Sequence, residues 1–133
     1  MNGDSQAMSG EHCLDVLRRN SLGRIGVTHH ALPAIFPVRY AVVGERILFP
    51  AAVGGVLDQV CRGQVVAFEV DEPGSDHEGR TTVLVLGVAD HVHDALWLQR
   101  FVGSADQDVT HSLIAVSLGT VSGQISDGQL ATV

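Results

Sequence analysis

The sequence contains no lysine. Its 133 residues carry eight cations against 15 carboxylates, for a formal net charge of -7. The cations are Arg18, Arg19, Arg24, Arg39, Arg46, Arg62, Arg80 and Arg100, scattered along the chain. Nucleic acids and anionic bilayers are gripped by clustered cations that release counterions. An acidic chain without a basic stripe therefore argues against both as partners and leaves room for a compact phosphate on a small ligand. Cysteine is scarce too: Cys13 and Cys61 stand alone, without Cys-x-x-Cys spacing, in apolar surroundings. They read as reduced thiols packed as small hydrophobes. No run approaches the roughly 18 apolar residues of a membrane helix, and Met1 to Gly10 lacks a basic segment followed by an apolar one. The expectation is a soluble, cytoplasmic protein.

Aromatic residues make up only 5% of the chain, whereas hydrophobic residues make up 45% and there are 15 glycines. Val, Ala, Leu and Ile punctuated by Gly suit short strands and tight turns. The length fits a single domain, here residues 9–133 behind a frayed segment 1–8. Ser9 offers an N-cap for a helix over about Gly10 to Arg19, with Cys13, Leu14 and Leu17 at helical spacing. Strands are predicted at Arg24 to Thr28, Pro33 to Val43, Arg46 to Phe49, Gln64 to Val70, Thr81 to Val92 and Leu113 to Ser117, the last extended by Val121 to Ile125. Pro50 is expected to stop the third. The run Val65-Val66-Ala67-Phe68 suggests burial on both faces. A second helix follows Gly54-Gly55, a third spans His93 to Val102, and Asp71 to Arg80 is a polar loop. Six strands with hairpin connections and three short helices predict a mainly β, antiparallel barrel.

Motifs for other chemistries fail on inspection. Asp90-His91-Val92-His93-Asp94 has no third histidine or correctly placed aspartate for a zinc site, so its imidazoles read as solvated. His29-His30 falls in a turn where neighbouring side chains are expected to diverge. There is no Gly-x-Ser-x-Gly elbow, no P-loop lysine after Gly54-Gly55, and no Gly-x-Gly-x-x-Gly. Trp97 and Phe101, four apart on a helix, read as core. No metal and no catalytic side chain is assigned.

Five stretches in order carry a family resemblance: Leu22-Gly23-Arg24-Ile25-Gly26-Val27-Thr28, Pro33-Ala34-Ile35-Phe36-Pro37-Val38-Arg39-Tyr40, Ile47-Leu48-Phe49, Val66-Ala67-Phe68-Glu69-Val70-Asp71 and Val83 to Ala89. Together they resemble the pyridoxamine 5′-phosphate oxidase-like split barrels, in particular the short bacterial branch. The resemblance implies a six-stranded antiparallel split barrel with a few short flanking helices. It also implies a homodimer formed along one flank, and flavin mononucleotide (FMN) bound between the subunits. It places the flavin ring along Phe36, Val38, Arg39, Tyr40, Phe49, Pro50 and Ala51, the phosphate by Arg39 and by Gly55, Val56 and Leu57, and a hydroxyl at Thr82. The cofactor would carry the redox chemistry toward a small-molecule substrate, making the chain a flavin-dependent oxidoreductase.

The sequence departs from this family where the phosphate should sit. Relatives carry a threonine after the third strand and a Gly-Ser-Lys-Leu run; here stand Ala51 and Gly54-Gly55-Val56-Leu57. Each lost charge-assisted contact is worth about 1.5–3 kcal/mol. Two alternatives follow. One is a non-catalytic dimeric barrel that has lost flavin and binds another ligand. The other is a deazaflavin-dependent reductase, disfavoured because an acidic cofactor tail would want a basic groove. Arg39 reads equally as a phosphate contact or as a surface or interface ion-pair partner.

Overall fold

The computed structural model describes residues 6–74, 79–103 and 110–126. In chain order its elements are β1 (Gln6–Ala7), α1 (Gly10–Arg19), β2 (Leu22–His29), β3 (Leu32–Arg39), β4 (Ala41–Val43), β5 (Arg46–Ala52), α2 (Val56–Val60), β6 (Gln64–Pro73), β7 (Arg80–Val92), α3 (Ala95–Val102), β8 (His111–Ser117) and β9 (Thr120–Ser126). The strands form one antiparallel sheet in the order β3-β2-β6-β7-β8-β5-β4, with β9 on β7 and β1 on β9. The mainly β, split-barrel architecture expected from sequence is the one found.

The outermost strands of this order, β3 and β4, are consecutive in the chain, with only Tyr40 between them. Tyr40 leaves the β2 ladder and is anchored twice: its N–H donates to the Ser21 carbonyl at 2.9 Å and its hydroxyl to the Leu17 carbonyl at 2.7 Å. One strand expected over Pro33 to Val43 is therefore two, serving opposite edges of the curled sheet. The sheet has to curl, because strands joined by a single residue cannot lie at opposite ends of a flat sheet of this width.

The core lies inside the curl. Ile25, Phe68 and Val85 are paired in register across β2, β6 and β7 and are fully buried. From α1, whose N-cap Ser9 accepts from the His12 N–H as the sequence suggested, Cys13, Val16 and Leu17 close one side. Outside β5 and β8, α3 packs Trp97, Leu98 and Phe101 on Leu48, Leu113 and Ala115.

Several local expectations are corrected. Pro50 does not end its strand: β5 continues to Ala52, because β4 pairs only as far as Leu48 and the proline there faces no second neighbour. Strand β6 is not buried on both faces, since Val65 is 70% exposed while Val66 and Phe68 are buried. The polar stretch after Val70 continues the β6–β7 hairpin through Pro73 and Arg80, with 75–78 outside the described residues. Residues 6–8 are not frayed: Gln6 and Ala7 pair with β9, and the Met8 N–H donates to Gly123. Residues 120–126 form a strand of their own on β7 rather than an extension of β8. At Gly87 the partners of β7 change from β9 to β8, and a Cβ there would lie 1.8 Å from the Ser117 carbonyl oxygen. Only glycine permits that crossing.

Candidate functional site

A cavity of about 440 Å³ opens where β3 and β5, which are not ladder neighbours, pass each other beside the start of α2. Its wall is Phe36, Pro37, Val38 and Arg39 from β3, Pro50, Ala51 and Ala52 from β5, and Gly55, Val56 and Leu57. The structure thus brings together Phe36, Val38, Arg39, Pro50, Ala51, Gly55, Val56 and Leu57 of the residues singled out from sequence. It does not bring the other three. Phe49 points away from Pro50 across the β5 pleat and is fully buried in the core. Tyr40 is 3% exposed, and its hydroxyl is spent on Leu17. Thr82, on β7, donates to the Asp71 carboxylate and lines a separate cavity of about 380 Å³ with Glu69, Leu84 and Ser122.

The lining is mostly apolar. Among the described residues Arg39 contributes its one charged side chain, and the guanidinium Nη2 donates to the Phe101 carbonyl at 2.7 Å in the last turn of α3. A cation at that end of a helix is favourably placed. Helix α2 has no side-chain cap at Gly55, and the Gly55 N–H donates to the Ala52 carbonyl at 3.0 Å.

Behind the cavity wall lies a polar cluster that sequence reasoning missed. Asp58, 7% exposed in the first turn of α2, accepts from the Gly54 N–H at 2.9 Å and from the Ser112 hydroxyl at 2.7 Å. These bonds, the Gly54 amide foremost and then Ser112, hold its carboxyl below the ordinary carboxylate value, with nearby His91 adding to the effect. The His91 Nε2 lies 2.9 Å from the Asp58 carbonyl oxygen and 3.5 Å from its carboxylate. His91 is therefore not a solvated surface imidazole as expected. An aspartate three residues after Gly55 was the available signal, but its partners come from β7 and β8, far away in sequence.

His29 and His30 also differ from expectation: their rings stack with centroids 4.0 Å apart at the β2–β3 turn, where His30 and Ala31 both adopt positive φ. Among the described residues no group of three or more His, Cys, Asp or Glu could hold a metal ion. Burial pushes the Cys61 thiol up to about 11 and raises that of Cys13, so neither is a nucleophile at neutral pH. No described helix is long and apolar enough to cross a membrane.

Residues 9–121 match the family model described as Pyridoxamine 5′-phosphate oxidase. Among solved structures, a FAD-binding protein from Mycobacterium smegmatis is 26% identical, with a TM-score of 0.72 over 91% of this chain and 97% of that one. A FAD-binding protein from Mesorhizobium loti is 20% identical with a TM-score of 0.77, covering 92% and 98%. A FAD and heme binding protein from Mycobacterium smegmatis is 16% identical with a TM-score of 0.70, covering 98% and 77%. The last two share the fold. No curated protein matches. With the match running from the cap of α1 into β9, and with the same curled antiparallel sheet in its structural relatives, the chain belongs to the pyridoxamine 5′-phosphate oxidase-like family.

Proposed function

We propose that this chain is a flavin-binding split barrel that works as a homodimer and passes electrons to a small-molecule acceptor. The observation that carries the flavin reading is the β3–β5 cavity. Its size falls within the range of cofactor sites, and its apolar walls suit an isoalloxazine ring. Backbone of Phe36 to Arg39 and of Pro50 to Ala52 would flank the ring. Arg39 and the first turn of α2 stand where the phosphate-bearing end of FMN would lie. FAD, named for two of the relatives above and for a third together with heme, would present the same ring and ribityl chain. When bound, the flavin supplies the redox chemistry, and the protein binds, orients and shields it.

The dimer reading rests on the outer face of β3, β2, β6 and β7. Ile35 and Val65 are each 70% exposed there, and Leu84, Leu86 and Val88 are also exposed, around small Gly26 and Ala67 in one register row. An apolar sheet face of this extent calls for a cover, and the near-continuous apolar run in β6 is explained if a second copy provides it.

The test is direct. The purified protein is examined for visible flavin absorption and titrated with FMN and FAD while flavin fluorescence is followed, with the mass in solution measured by light scattering. Quenching at micromolar flavin and a dimeric mass support the proposal. A colourless protein indifferent to flavin removes the oxidoreductase reading, and a monomer removes the shared site. The second reading, a dimeric barrel that binds another ligand, is favoured by one observation: among the described residues the cavity wall contains no hydroxyl and no ammonium.

A further inference from the structure

The β3–β5 cavity is poorly equipped to hold a doubly charged anion. None of its described lining residues carries a hydroxyl, a side-chain amide or an ammonium, and the Arg39 guanidinium already donates to the Phe101 carbonyl. The backbone amides nearest the turn into α2 are partly spent: the Gly54 N–H goes to the Asp58 carboxylate and the Gly55 N–H to the Ala52 carbonyl. Asp58 places a buried negative charge in the first turn of α2, where a second anion would be repelled. A phosphate monoester carries about -1.5 to -2 charges at neutral pH. Moving it against such a wall costs desolvation that one shared arginine offsets poorly.

We infer that this site holds its flavin by the isoalloxazine and ribityl portions and is indifferent to a terminal phosphate monoester, so that riboflavin and FMN are equivalent ligands. The inference rests on the flavin reading above. A second copy packed nearby brings no lysine, since the chain has none, and three of its arginines are held in ion pairs: Arg19 with Glu72, Arg24 with Glu69 and Asp71, and Arg80 with Asp71.

The experiment is a parallel titration of the flavin-free, full-length protein with riboflavin and with FMN, at low and at physiological salt. The two dissociation constants are expected to agree within about tenfold, and Arg39→Ala to leave their ratio within that range. Val56→Lys sets an ammonium at the cavity wall and is expected to shift the ratio toward FMN by about tenfold or more. A preference for FMN beyond about tenfold in the unaltered protein, abolished by Arg39→Ala, would overturn the inference while leaving the flavin reading intact. An unshifted ratio in folded Val56→Lys protein would overturn the placement of the phosphate-bearing end beside α2. Failure of both flavins to bind would overturn the flavin reading and this inference together.

Discussion

The Ser112 hydroxyl donates to the Asp58 carboxylate at 2.7 Å, tying β8 to the first turn of α2 across the back of the cavity wall. Through the same carboxylate Gly54 is held at 2.9 Å, so one buried side chain fixes the turn between β5 and α2. Replacing Asp58 by Ala would leave the Gly54 N–H and the Ser112 hydroxyl without their acceptor. A loss of about 2–4 kcal/mol in unfolding free energy is expected, measured by urea denaturation. An effect below about 0.5 kcal/mol, the usual scale of surface substitutions, would show that the network is not structural.

Two carboxylates in separate clusters, Asp58 and Glu72, set an acid limit. Asp58 is held below its ordinary 3.8 by Gly54 and Ser112, and Glu72 below its ordinary 4.5 by Arg19 and Asn20. A depressed carboxyl contributes stability that is fully present above its unfolded value and is lost as pH falls through the folded one. The melting temperature should therefore hold steady from about pH 7 to pH 5 and drop below about pH 4. In Asp58→Asn the drop should be shallower, because that position no longer takes up a proton. An identical acid limb in the variant would assign the loss to other groups.

Tyr40 marks the point where the chain passes from one edge of the sheet to the other. Tyr40→Phe keeps the ring and its edge-on contact with Phe68, at 4.9 Å between centroids, and removes only the bond to Leu17. The expected cost is about 1–2 kcal/mol, read from thermal or urea unfolding. No measurable loss would mean that the Leu17 carbonyl finds another donor.

Ile35→Asp places a carboxylate on the exposed apolar face beside Gly26. Because the side chain points outward, the fold should survive with unchanged circular dichroism. The dimer proposed above should dissociate, with flavin affinity falling by about tenfold or more if the site is shared. A variant that stays dimeric would place the subunit contact elsewhere.

Alternation and capping made the elements legible before any coordinates. Ser9 marked the start of α1, where its side chain accepts from the His12 N–H. Pro33 and Pro37 sit in an edge strand, where a missing amide proton is tolerated. Legibility failed where a residue's role depended on a neighbour distant in sequence. Nothing local distinguishes Phe49, which faces the core, from Pro50, which lines the cavity, because a one-residue shift reverses the pleat.

What the sequence determined alone was the class of fold and the poverty of its cations, since strand periodicity and charge count are local properties. Tertiary structure alone decided that β3 and β5 enclose a cavity, that Arg39 is engaged by the end of α3, and that Asp58, His91 and Ser112 meet behind the wall. Those groups lie tens of residues apart, and only the curl of the sheet, closed through Tyr40, converts that separation into hydrogen-bond distance.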